Sequence, residues 1–110
     1  MDFLNETGME TKPRAFNEII QDKKPVLVDF SAEWCGPCKM MAPVLKEVKS
    51  ILRDDVTILK IDVDRNSHLA AQYSVQAVPT LIILKEGQIK WRHSGVMPAA
   101  QLQTIIRSFL

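Results

Sequence analysis

Val26-Leu27-Val28-Asp29-Phe30-Ser31 runs directly into Ala32-Glu33-Trp34-Cys35-Gly36-Pro37-Cys38-Lys39, and both cysteines of the chain fall within this stretch. Val26–Ser31 is short, β-branched and nearly continuous in apolar character, which predicts a strand buried on both faces. Beyond it, Met41, Val44, Leu45, Val48, Ile51 and Leu52 define the core stripe of a long helix beginning near Cys35. Residues i and i+3 of an ideal helix have Cα atoms about 5 Å apart. That spacing falls inside the usual disulfide window of roughly 4.4–6.8 Å, so a bond between Cys35 and Cys38 opens and closes with little backbone movement. Such a bond is a poor staple. Chain entropy gives roughly 2 kcal/mol for a four-residue loop, against about 4.7 for 100 residues. The pair is therefore a redox candidate. Pro43 removes a backbone donor inside the helix and is expected to kink it.

On the N-terminal side, Phe16, Ile19 and Ile20 lie at i, i+3, i+4 between Pro13 and Pro25, predicting a short helix over about 13–23. Met1–Met9 is polar and contains Gly8, so residues 1–12 are expected to form a weak edge strand or a flexible arm. On the C-terminal side, residues 56–63 read as a second buried strand, and Asn66 or Ser67 is placed to cap a short helix carrying Leu69 and Tyr73. Residues 80–84 and 88–93 flank Lys85-Glu86-Gly87, where glycine supplies the positive φ of a tight hairpin. Leu102, Ile105, Ile106, Phe109 and Leu110 make a last amphipathic helix reached through Pro98. A parallel βαβ unit followed by a hairpin and a closing helix implies an α/β fold: a mixed central sheet with helices on both faces.

With 110 residues, 46% of them hydrophobic, the chain is long enough for one domain spanning 1–110 and too short for two. Fourteen basic side chains against thirteen acidic ones leave a formal charge of +1. Lys and Arg do not cluster with aromatics, so nucleic acid is not an expected partner. No apolar run approaches the roughly 20 residues of a membrane span, and the first residues lack the pattern of a signal peptide. Membrane insertion is not expected. The expected location is the cytoplasm, or the periplasm had an export signal been removed.

Val28 through Met40, with Pro43, Lys60-Ile61-Asp62, Val78-Pro79-Thr80, Gly87 and Gly95 following in order, resembles the thioredoxin family over roughly residues 13–110. The cysteine pair gains its specificity from context, with the strand before it, the helix after it and the proline downstream. The resemblance implies a sheet order of 1-3-2-4-5, with the first strand short, shifted or disordered. It also implies a thiol–disulfide oxidoreductase reducing protein disulfides. In the implied mechanism, the Cys35 thiolate attacks and Cys38 resolves the mixed disulfide. The pair would be the only redox centre, with no cofactor. Electrons would come from an NADPH-dependent flavoprotein thioredoxin reductase or from a membrane donor, and the family expectation is a monomer.

The residues support this chemistry individually. At a helix N-terminus a Cys35 thiolate meets unpaired N–H groups and the positive end of the macrodipole. The dipole alone supplies about 0.3–1 kcal/mol, less than one pKa unit, so something more must help, the candidates being direct N–H hydrogen bonds, the Cys38 thiol and Lys39. Cys38, one turn inside, is expected to be the less exposed and less acidic thiol. Pro37 offers neither charge nor donor, which favours a reductant. Asp29 stands alone in an apolar strand, where desolvation should raise its pKa. The resemblance assigns the matching aspartate to proton transfer at the second cysteine, with Lys60 near it. A structural Asp–Lys pair is the simpler alternative. The resemblance also implies a cis bond before Pro79, with the backbone of Val78 pairing with an extended substrate segment. Gly95 admits that segment, and Trp34, Gly36, Pro37 and Val96 form an apolar rim. Trp91 and the methionines Met40 and Met41 are assigned to packing or rim.

Cys35, Cys38, His68 and His93 do not make a convincing zinc set. The histidines are 25 residues apart, whereas finger-type sites use H-x₃₋₅-H. A Cys–His hydrolase fares no better, because nothing brings either histidine to Cys35. Two alternatives use the same surface. One is a binding module of this fold without turnover, and the other is a disulfide oxidase or isomerase differing only in redox poise. Ser31 stands where many bacterial members of the family carry tryptophan.

Overall fold

The computed structural model describes the backbone of residues 3–5, 10–11 and 13–110, and side chains from Phe16 onward. Within these residues the chain runs β1 (Phe3–Asn5), β2 (Glu10–Thr11), α1 (Pro13–Ile19), β3 (Val26–Ser31), α2 (Gly36–Leu52), β4 (Thr57–Asp62), α3 (Ser67–Gln72), β5 (Thr80–Lys85), β6 (Gln88–Ser94) and α4 (Ala99–Arg107). The strands form one sheet in the order β2-β1-β4-β3-β5-β6. Setting aside the two-residue β2, this is the expected 1-3-2-4-5 arrangement. β1 pairs antiparallel with β4 and β2 folds back on β1, so the N-terminal segment supplies two very short strands where one was expected.

β3 is the central strand, parallel to β4 and antiparallel to β5. Its alternation sorts the core into two layers. Leu27, with Ile58, Leu81 and Ile83, packs against Met41, Leu45, Val48 and Leu52 of α2 and Leu102 and Ile106 of α4. Val26, Val28 and Phe30, with Leu59, Ile61 and Ile82, pack against Phe16 and Ile20 and against Leu69 of α3. Every residue of β3 is buried, because helices cover both faces of this strand.

Several expectations need correction. α1 ends at Ile19 and not near residue 23, because Gln21 N and Asp22 N bond to carbonyls three residues back and Ile20 O and Asp22 O accept from Gly87 N and Glu86 N. α2 begins at Gly36 and contains Pro43, both as expected, and the proline is exposed. Ile51 is exposed rather than part of the core stripe. Asn66 occupies the N-cap position of α3 but makes no capping hydrogen bond; it is fully buried, and its Nδ2 donates to Asp62 O at 2.9 Å. Ser67 lies inside the helix, and Tyr73 is its C-cap. Leu110 lies past the end of α4 and is exposed.

The β5–β6 turn is the tight hairpin expected at Gly87. Glu86 and Gly87 have φ of 52° and 77°, the paired positive values of a type I′ turn that matches strand twist.

Candidate active site

The carboxyl end of β3 and the first turn of α2 bring the cysteines together. Cys35 is the N-cap of α2, and Cys38 lies one turn in. They are joined by a disulfide with a Cα–Cα distance of 5.3 Å, as i, i+3 spacing requires. Cys38 N donates to Cys35 Sγ at 3.1 Å, so one of the helix's otherwise unpaired N–H groups already points at the sulfur that would carry charge after reduction. This is the direct hydrogen bond that the helix dipole needs beside it. The two cysteines are equally buried, at 4% and 3% exposure, so exposure of the whole residue does not separate their roles.

Two further segments converge here. The Val78–Pro79 peptide is cis, Pro79 is buried, and Val78 O lies 3.7 Å from Cys35 Sγ. Gly95 N donates to Pro79 O at 2.9 Å, which ties the end of β6 to the proline loop. Gly95 has φ of 109°, a conformation that side chains rarely adopt. Around these lie the exposed Trp34, Gly36, Pro37 and Val96, with Trp34 71% exposed. Nothing stands within 4 Å of a Cβ placed on Gly36. Trp34, Gly36 and Pro37 flank the cysteines along the chain and Val96 follows Gly95, and the large apolar side chains among them face solvent.

Asp29 is 1% exposed, and its Oδ1 has no hydrogen-bond partner among the described residues. Loss of water raises its pKa from 3.8 to about 7, and the positive charge of Lys60 opposes that rise without cancelling it. Lys60 is its register partner on β4. Parity along β3 and β4 puts Asp29, Ser31, Lys60 and Asp62 on the α2 face of the sheet. A cleft of about 240 Å³ is lined by Ser31, Ala32, Glu33, Cys38, Lys39, Lys60 and Asp62, so solvent approaches the second cysteine from this side. A larger groove of about 450 Å³ lies elsewhere, along Glu18, Gln21, Asp22 and Thr57, and includes none of the site residues.

Two contributors were not visible in the sequence. Asp64 Oδ2 accepts from Trp34 Nε1 at 2.9 Å, fixing an indole that is otherwise in solvent; thirty residues separate the two, and no local pattern joins them. Arg92 on β6 donates to Tyr73 O and Ser74 O and anchors the start of the loop that leads to Val78. Trp91 packs against the α2–α4 core, as expected. Among the described residues no three His, Cys, Asp or Glu side chains gather as a metal site.

Comparison with known proteins agrees with this geometry. The family model described as thioredoxin matches residues 8–108. A thioredoxin-like protein of Synechocystis sp. is 51% identical over 87 residues, covering 79% of this chain and 83% of the relative. A bifunctional thioredoxin reductase/thioredoxin of Mycobacterium leprae is 46% identical over 87 residues, 79% of this chain but 19% of that much longer protein. Among solved structures, oxidized mitochondrial thioredoxin 3 of Saccharomyces cerevisiae superposes with a TM-score of 0.78 at 36% identity, covering 86% of this chain and 88% of that one.

Proposed function

Because the chain belongs to the thioredoxin family, it is a thiol–disulfide oxidoreductase that reduces protein disulfides, and we propose that its site residues divide the work as follows. The reduced Cys35 thiolate attacks one sulfur of a target disulfide. The other target sulfur leaves as a thiolate and takes up a proton. Cys38 then gives its proton to the Asp29 carboxylate and attacks Cys35 Sγ. The mixed disulfide breaks, the second target sulfur leaves as a thiolate and takes up the proton held by Asp29, and the Cys35–Cys38 bond closes. Two electrons have moved to the target, which is now a dithiol.

With a pKa of about 7, Asp29 is partly ionised near neutrality and suited to accept and return a proton. Lys60 acts on Asp29 by charge. The backbone of Val78 pairs with the substrate segment carrying the attacked disulfide, and Trp34, Gly36, Pro37, Pro79, Gly95 and Val96 bound that groove. We further propose that a flavoprotein thioredoxin reductase returns the electrons. The Mycobacterium leprae relative, whose name joins reductase and thioredoxin, supports this donor. A membrane donor would take its place outside the cytoplasm, which we take as the working compartment, with the chain acting as a monomer.

The observation that carries this reading is the Cys35–Cys38 bond at the start of α2, with Cys38 N on Cys35 Sγ and Val78 O alongside. Its test is a trap. Cys38→Ser should accumulate a stable mixed disulfide with a disulfide-bonded test protein, whereas Cys35→Ser should accumulate none. Equal trapping by the two variants would remove the assignment of attacking and resolving roles.

A further inference from the structure

Behind Gly95, one side chain leans toward the proposed groove. His93 pairs with Leu81 and Trp91 with Ile83, so both rings stand on the α2–α4 face of β6. The two rings stack, with centroids 5.8 Å apart and planes 7° from parallel. Trp91 in turn packs on the core, which holds the imidazole from one side. On the other side His93 Nε2 lies 3.9 Å from the point a Gly95 Cβ would occupy. The ring thus reaches along the strand toward the end where the cysteines lie, with Nε2 facing the glycine. Among the described residues its nitrogens make no hydrogen bond beyond this stack.

The side chains assigned to the substrate groove, Trp34, Pro37, Val78 and Val96, are apolar, while the charged Glu33, Lys39, Lys60 and Asp62 line the separate cleft at Cys38. Apolar contact discriminates poorly between substrates, whereas a directed hydrogen-bonding group discriminates well. We propose that His93 is a specificity residue that contacts the substrate, its Nε2 hydrogen-bonding an acidic side chain of the segment lying over Gly95. A carboxylate accepts from Nε2–H in the cation and in the neutral tautomer that carries its proton on Nε2. A lysine ammonium finds an acceptor there only in one neutral tautomer, and is repelled by the cation. Stacking on Trp91 restricts the ring before substrate arrives, so little rotamer freedom is lost on binding.

This inference rests on the reading of Val78–Pro79 and Gly95 as the substrate groove. It is tested with disulfide-linked peptides that differ at one position, scanned over the three residues on each side of the attacked cysteine, carrying Asp, Ala or Lys. A small aromatic disulfide with no peptide chain serves as control. We expect the wild type to prefer Asp over Lys by roughly threefold to tenfold in kcat/KM at one of these positions, the range of one solvent-accessible hydrogen bond. His93→Phe, which keeps a ring on Trp91, should abolish the preference. His93→Gln, which keeps a donor, should retain part of it. All three proteins should reduce the control disulfide equally. Full preference in His93→Phe, or none in the wild type at any position, overturns the proposal. Wild-type protein that reduces the control but no peptide overturns the groove itself.

Discussion

Asp29 shows what one residue in the wrong solvent does. Its carboxyl is buried in an apolar strand, and the pKa rises from 3.8 to about 7 because desolvation outweighs the attraction of Lys60. Between about pH 4 and pH 7 the folded chain keeps a proton that the unfolded chain has released. Stability from this group is therefore full at low pH, falls as pH rises through that window, and is lost above it, a swing of a few kcal/mol. Replacing Asp29 by Ala should stabilise the protein by about 2 kcal/mol at pH 8, with the gain shrinking toward pH 4, as denaturant titrations at several pH values will show. The same variant should slow resolution of a Cys35 mixed disulfide while leaving its formation near the wild-type rate; rapid-quench kinetics that find resolution unchanged would exclude a proton role for the carboxyl. Asp29 was legible in the sequence because a lone carboxylate interrupts an apolar run. Asp64 and His93 were not, since each acts on a neighbour through the fold. Asp64 meets Trp34 across thirty residues, and the direction of the His93 ring depends on its stack with Trp91.

At the scale of elements, the strands and helices whose patterns were strong formed where expected, and the differences lie at their ends. β3 formed over the six expected positions, because its four apolar residues and the polar Asp29 and Ser31 are all buried between the two helix layers. The end of α1 and the cap of α3 were misplaced because tertiary demands prevailed: Asn66 spends its amide on Asp62 O and is buried instead of capping. The N-terminal strands are three and two residues long, too short for periodicity to register. The β5–β6 hairpin yields a prediction of its own. Gly87 has φ of 77°, and an added Cβ would come within 2.7 Å of the Gln21 amide. Gly87→Ala should cost about 1–2 kcal/mol, the penalty for a left-handed residue bearing a Cβ. Adding Gln21→Ala should recover only a minor part, because the backbone conformation remains; thermal denaturation of both variants separates the two causes.

For the whole molecule, α2 carries core and chemistry together. Its buried side holds Met41, Leu45, Val48 and Leu52 in the layer that includes Leu102 of α4, and its first turn presents the disulfide. Loss of packing should therefore destabilise the protein without changing the redox pair. Leu102→Ala, at a fully buried position, should cost about 2–5 kcal/mol in a single cooperative transition, while the potential of the cysteine pair stays at the wild-type value. The direction in which the pair moves electrons is set by that potential. Pro37 leaves the thiolate without the extra stabilisation that an oxidant needs, so the Cys35–Cys38 pair should act as a donor of electrons. The direct measurement is its equilibrium reduction potential against a dithiol buffer, followed through Trp34 fluorescence. A value near the roughly −270 mV known for thioredoxin is expected of a reductant, whereas one near the isomerase range of about −180 mV would make the pair an oxidant or isomerase.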